Sequence, residues 1–405
     1  MKILPPVLIA GIVGLILCAC PQLGPTGLSG LAPATTSACT GAALNKVQFL
    51  QYGFDPKSNT TPQPDAATIP DDVWADLQKA FSIAPPGFQQ QLCNLNGIFI
   101  NPASCARLNP NDPTSPYDPK TCNPSPMAIG NNSWGMRQYD QNSGAILGEY
   151  IALSLGLWNN SASPGWTCIG RTYCAPPFQT YQTGVVQALL MSLAPAVPIN
   201  ATNLPTISSS ASANTSEMSV LATVAHEYGH VLWYDKFVPR GGGPADPTGA
   251  GFCGGKFYTG PLASWKYPVA VPPGRWLDFG EIREQSPLNS TILNLPGFYT
   301  ANQPGLAGDN LNRLFNGGLW ASTLAAFSPD EDLVETFELM VLAAAKPPGA
   351  AQPLLQSMVM KIPGSRGRIY SFDIFDNLVS GTELARKYVC VAGSLPPQAQ
   401  FRHRP

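Results

Sequence analysis

The chain is poor in charge and very poor in histidine. Only 12% of its 405 residues are Asp, Glu, Lys or Arg, about half the usual share, and only three are histidine. A net charge of −2 offers no basic stripe, which excludes nucleic acid as a partner. Long apolar runs are scarce too. The run at the N-terminus stands behind Lys2, is interrupted by Pro5 and Pro6, and is too short to span a bilayer comfortably. In excess are Gly, at 38 residues, and Pro, at 42, within a chain that is still 44% hydrophobic. That balance predicts a loop-rich globular protein with a neutral polar surface, not a disordered one.

The N-terminal run is read as an export signal over residues 1–20. It ends in Leu17, Cys18, Ala19 and Cys20, which resembles the bacterial lipobox: Leu three before, and a small residue just before, the cysteine that is lipidated. The resemblance implies a lipid on Cys20 and a tether to a bacterial membrane. Ordinary signal cleavage further on, with secretion, or an uncleaved anchor are the alternatives, and every one of them places the chain outside the cytoplasm. Eight cysteines follow, Cys39, Cys93, Cys105, Cys122, Cys168, Cys174, Cys253 and Cys390. An even number in an exported chain predicts disulfides, and only Cys168 with Cys174 is close enough to pair by inspection. None shows the short paired spacing of a thiolate zinc site.

Residues 21–45 are rich in Gly, Pro, Ser and Thr and are expected to be a flexible tether. Residues 46–200 form a cysteine-containing N-terminal region with part of a sheet lobe. Here Asp71 to Ile83 predicts a helix, with Val73, Leu77 and Phe81 on one side, and Gly97 to Ile100 a strand. Ala128 to Trp158 reads equally as strands or as buried helix. Thr180 to Leu193 predicts a helix that serves as scaffold. Residues 201–405 hold the chemistry, beginning with a flexible polar loop from Ile207 to Asn214 and, after the central helix, a breaker-rich surface connection from Pro239 to Gly251.

That central helix carries His226, Glu227 and His230. Histidines four apart lie about one turn from each other on one face, so both imidazoles reach one ion. Glu227 projects from the neighbouring edge, where a carboxylate accepts a proton from a zinc-activated water without occupying a ligand position. Ala222, Thr223 and Gly229 keep the site face small, while Met218, Leu221, Val224, Tyr228, Val231 and Leu232 supply an apolar stripe. Asn214 is the expected N-cap, with Glu217 as its reciprocal partner.

The helix resembles the zincin metallopeptidases, which have Thr or Val three before the first histidine and an apolar pair after the second, as Thr223, Val231 and Leu232 do here. Such a site needs a third protein donor. The metzincin positions after the second histidine hold Trp233 and Lys236, which excludes that subclass. His403 sits in a Pro- and Arg-containing tail and is read as solvated. A carboxylate remains. The strongest region is a helix capped by Ser328 and Pro329, with Leu333, Phe337, Met340 and Val341 as its apolar stripe and Glu331, Glu335 and Glu338 sharing another face. Asp235, Glu281 and Glu284 are weaker candidates, and Ser328 with Glu331 also reads as a plain capping box.

This second helix resembles the gluzincins, in particular the Glu-x-x-Ala-Glu-x-Phe pattern of the anthrax lethal factor group, with Val334 in place of Ala. The resemblance implies that Glu331 ligates zinc and that Glu335 accepts a hydrogen bond from a ligand histidine. It also implies an α+β, zincin-like catalytic fold: a twisted mixed sheet beside the active-site helix and a mostly helical C-terminal lobe, here loop-rich and disulfide-stapled. That group has a tyrosine seven before the ligand, where this chain has Leu324, so the oxyanion donor is left open. The function expected is an exported metallopeptidase that holds one Zn2+ on His226, His230 and Glu331, uses Glu227 as general base, and takes a peptide or protein substrate. The alternative is a non-catalytic, zincin-like surface lipoprotein that binds a peptide or protein partner.

Overall fold

A computed structural model describes residues 36–103, 105–140, 142–159, 168–193, 204–237, 306–379 and 381–394. Cys20, the connection from Pro239 to Gly251, Cys253, Glu281, Glu284 and His403 lie outside the described residues.

The first of two sheets is built from β1 (Val47–Phe49), β2 (Gly97–Asn101), β3 (Trp134–Tyr139) and β4 (Ile146–Ser154), in the order β1-β2-β4-β3. β1, β2 and β4 run parallel, and β3 is antiparallel to β4 at one edge. Ile98, Ile100, Ile151 and Leu153 on one face and Phe99, Tyr150 and Ala152 on the other are buried, as expected of strands covered on both faces. The stretch that read as strand or helix therefore contains both: α4 (Pro126–Asn132), β3, β4 and a closing turn of 3-10 helix from Leu155 to Trp158. A second sheet, β5 (Thr206–Ser209), β6 (Met358–Pro363) and β7 (Ile369–Asp373), is antiparallel throughout.

The helices are α1 (Thr36–Leu44), α2 (Asp71–Ile83), α3 (Pro86–Asn94), α4, α5 (Phe178–Leu193), α6 (Ser216–Phe237), α7 (Leu306–Phe315), α8 (Pro329–Ala344) and α9 (Glu383–Ser394). Among the described residues the fold is thus mixed α and β, with nine helices and two sheets, and no helix is long and apolar enough to cross a membrane. Among the described residues the main core runs from Ala43 to Val391, and a second, smaller cluster gathers Leu50, Phe99, Trp134, Met136, Tyr150 and Ala152. Three cysteine pairs among the described residues are disulfide-bonded, Cys39 with Cys93, Cys105 with Cys122, and the expected Cys168 with Cys174.

Three local expectations are corrected. α1 occupies the last part of the stretch read as a tether, where Cys39 ties it to α3. Ile207 to Ser209 is strand, not flexible loop, because Met358 to Lys361 pairs with it from far down the chain. The helix α6 starts at Ser216, and Thr215 Oγ1 accepts its Met218 N–H at 3.4 Å. Asn214 instead accepts the Gln179 N–H of α5 at 3.0 Å, meeting one of the orphan donors at that helix start.

Two glycines bring α6 to its neighbours. A Cβ on Gly135 of β3 would lie 1.8 Å from the Glu227 carbonyl oxygen and 3.3 Å from His230 Cβ, so only glycine lets the helix rest on the edge strand there. On the opposite side a Cβ on Gly229 would sit 3.0 Å from Val334 Cα of α8. The glycine inside the histidine motif is therefore what allows the second acidic helix to come close. Arg137, also on β3, pairs with Glu149 of β4 and, at 3.2 Å, with Asp235 near the end of α6.

Candidate metal centre

α6 presents His226 and His230 with ring centroids 5.1 Å apart and planes 79° apart. α8 crosses in front of them. Ser328 caps it by accepting the Glu331 N–H at 3.4 Å, while the Glu331 carboxylate turns to the imidazoles: Oε2 is 3.5 Å from His226 Nε2 and Oε1 is 3.8 Å from His230 Nε2. Donors each ~2.1 Å from one tetrahedral ion stand about 3.4 Å apart, so the spacing suits a metal. Further support comes from Glu331 Oε2, which is buried and has no hydrogen-bond partner among the described residues, an arrangement that is costly unless a cation satisfies it. Two imidazoles and one carboxylate are a donor set that suits zinc.

One turn along α8, Glu335 Oε1 lies 2.8 Å from His226 Nδ1. A carboxylate accepts, so Nδ1 carries a hydrogen, and Nε2, the nitrogen that faces Glu331, is the one available to ligate a metal. Glu338 Oε2 is 3.5 Å from the same nitrogen, and its Oε1 accepts from Gln182 Nε2 of α5 at 2.9 Å. His226, Glu335 and Glu338 thus make a second grouping with metal-ligand spacing, sharing one histidine with the first. Burial alone would lower the His226 pKa, but Glu331, Glu335, Glu338 and Glu227 outweigh it and hold the imidazole well above its ordinary value. His230, with burial and the His226 charge both acting against protonation, is held well below. Burial likewise pushes the Glu331 carboxyl well up, against the pull of His226.

Glu227 is 4% exposed; burial pushes its carboxyl up to about 8, with His226 pulling the other way. It faces a cavity of about 440 Å³ that also contains His226, His230 and Glu331. The far wall is the face of α5 formed by Tyr181, Val185, Ala188 and Leu189, with Met127 of α4 beside it. Tyr181 Oη and Thr223 Oγ1 are hydrogen-bonded at 3.1 Å, and burial keeps the phenol well above its ordinary pKa. Leu324 also lines the cavity and brings no polar side-chain atom to it.

The structure therefore brings together His226, Glu227, His230, Glu331 and Glu335. Asp235 is elsewhere, paired with Arg137 and Lys236. Sequence reasoning placed Glu338 on the acidic face without a role and treated the helix bearing Tyr181 and Gln182 as scaffold. No local pattern flags those two, because only the packing of α5 against α6 makes them part of the site. No protein-family model, curated protein or solved structure matches this chain, so its functional reading rests on the geometry of these side chains.

Proposed function

We propose that this chain is an exported zinc metallopeptidase of gluzincin type, with a zincin-like catalytic fold. The observation that carries the reading is that ligand atoms of His226, His230 and Glu331 lie within 4.8 Å of one another, with Glu331 Oε2 buried and without a hydrogen bond and Glu227 facing the same cavity. His226, His230 and Glu331 would hold the ion. A zinc ion there supplies Lewis acidity, which acidifies water and polarises a carbonyl. Glu227 does the proton work: its carboxylate takes a proton from the attacking water and passes it to the nitrogen of the leaving amine. Glu335 fixes His226 in the tautomer that leaves Nε2 free to ligate.

Peptide is the substrate the surroundings favour. β3 is an edge strand packed directly on α6 at Gly135, and Ser133 and Trp134, at its start, belong to the cavity wall. An extended peptide can add main-chain hydrogen bonds at the start of such an edge, whose Tyr139 end is taken by Asn59. The disulfides agree with an oxidising compartment outside the cytoplasm, and lipidation at Cys20 would tether the protein to a membrane there.

Zinc content and hydrolysis of a peptide library, measured for the wild type and for Glu227→Gln, test the reading. The wild type should hold one zinc per chain and cleave; the variant should keep its zinc and lose roughly 10²–10⁴-fold in rate. Equal cleavage by both proteins would reject the mechanism. Zinc retained by both without any cleavage would instead favour the partner-binding lipoprotein.

A further inference from the structure

We propose that Lys57, at the rim of the cavity, recognises a carboxylate of the peptide substrate, a specificity that rests on the peptidase reading above. The cavity is divided by sign. Glu227, Asp330, Glu331, Glu335 and Glu338 all line it, and of these Glu227, Asp330, Glu335 and Glu338 are buried. Lys57 is the one Lys or Arg in that wall among the described residues. It is exposed, and no acid among the described residues pairs with its ammonium. Such an arrangement orients a ligand, because a carboxylate is repelled by the acidic interior and attracted to the base at the mouth.

The turn that carries Lys57 is built against β3. Asp55 caps it by accepting the Lys57 N–H at 2.9 Å, and Ser58 Oγ donates to the Asp55 carbonyl at 2.7 Å. Before the turn, the Phe54 ring lies 5.4 Å from that of Trp134. After it comes Asn59, at a φ of 53°, a left-handed conformation that asparagine tolerates better than most residues. Its side chain donates to the Tyr139 carbonyl at 2.9 Å and accepts the Tyr139 N–H at 3.1 Å, as a peptide group of a neighbouring strand would. Thr61 Oγ1 adds a bond to Gln138 Oε1 at 3.0 Å. Residues 54–61 thus follow β3 from Trp134 to Tyr139 and fix Pro56 and Lys57 in the cavity wall.

A peptide that pairs with the start of β3 cannot follow that strand to its end, because Asn59 already occupies Tyr139. It leaves the edge beside the turn, where its own carboxylate meets the Lys57 ammonium. That carboxylate is either the chain terminus or an Asp or Glu side chain; the chemistry is the same, and only the peptide tells them apart. Asn131 also lines the cavity and is exposed, but it offers an amide N–H without charge.

The test uses the zinc-loaded full chain, its Lys57→Met and Lys57→Glu variants, and four peptides of one apolar sequence: with a free C-terminal carboxylate, amidated, amidated with one internal Glu, and amidated with Lys at that same position. The wild type should favour a carboxylate-bearing peptide over the plain amide by about tenfold in kcat/KM, mostly through KM. If the free acid leads, the carboxylate is the chain end; if the Glu peptide leads, it is a side chain. The preference should vanish in Lys57→Met, turn toward the Lys peptide in Lys57→Glu, and shrink at about 1 M salt, where the Debye length is about 3 Å. Thermal midpoints of both variants should stay at the wild-type value, since the position is exposed. Calorimetry of the same peptides on Glu227→Gln should rank them in the same order without turnover. No preference in the wild type, or one that Lys57→Met retains, would overturn the assignment, while cleavage dependent on Glu227 would leave the peptidase reading intact. A carboxylate preference in binding that requires Lys57, with no cleavage by the wild type, would keep the carboxylate site and overturn the peptidase reading.

Discussion

The two sides of α8 handle buried charge in opposite ways. Toward α6 the helix turns Glu331, Glu335 and Glu338 onto one histidine, with Glu227 close behind. One residue past Glu331, Asp332 faces the other way and is fully buried against Lys387 of α9, whose Nζ stands 2.6 and 2.8 Å from the two carboxylate oxygens. That ammonium also donates to the Leu319 carbonyl at 2.9 Å and lies 4.7 Å from the centre of the Trp320 ring. On this side a fixed cation answers the acid. On the other side four carboxylates gather around imidazoles, and the further positive charge that would balance them is the kind a metal brings. Matched charge holds α8 to α9, whereas the acid in excess of its protein partners lies where, on the metallopeptidase reading proposed above, a cation would bind.

Lys387→Met gives the largest effect. It leaves Asp332 buried without its countercharge, and removing one partner of a buried pair costs about 3–5 kcal/mol. Chemical denaturation should show that loss, and adding Asp332→Asn to the same chain should recover more than half of it. If the double variant is no more stable than Lys387→Met, the lysine acts through packing against Trp320 and the contrast between the two sides fails.

Next in size is Glu335→Gln, on the acidic side. A carboxylate that orients a metal-binding histidine is worth about 10–100-fold in metal affinity, so zinc titration of this variant should show a loss in that range. The metal-free protein should melt no lower than the wild type, because a crowded negative charge has been removed. A lowered melting point in the absence of metal would mean that Glu335 is structural, like Asp332.

How much of this contrast the sequence revealed depends on the range of the forces involved. α2, α5, α6 and α8 were legible because the apolar period of a helix is written in consecutive residues: Val73, Leu77 and Phe81, or Leu333, Phe337 and Met340, are buried as their spacing predicts. The placing of His226 and His230 on one face followed from the same periodicity. The pairing of Asp332 with Lys387 did not, since 55 residues separate them and nothing local distinguishes that aspartate from its acidic neighbours. β5 was missed for a similar reason. Thr206 to Ser209 is polar, and its strand conformation comes from hydrogen bonds to β6, some 150 positions later. Asn214 has the right residue type for a cap and lies near a helix start, but tertiary packing sets it against α5 instead.

The smallest effect is expected at Glu338, and it has the opposite sign to that at Lys387. Burial and the nearby Glu335 charge push the Glu338 carboxyl up to about 7, against the opposing pull of His226. A folded-state pKa above the unfolded value, near 4.3, means that the native protein binds more protons than the unfolded chain between those two points. Stability of the metal-free protein should therefore fall as pH rises from about 4 to about 7. Glu338→Gln removes that titration and keeps an acceptor for Gln182. In the absence of metal at pH 8 it should raise stability by about 1 kcal/mol, a thermal shift of roughly 2 °C for a chain of this size, and it should flatten the decline below pH 7. With zinc bound the gain should shrink, because the ion already offsets the surplus charge. A Glu338→Gln curve parallel to that of the wild type across this range would show that its carboxylate is as well matched as Asp332, and that the excess on this side is confined to Glu227, Glu331 and Glu335.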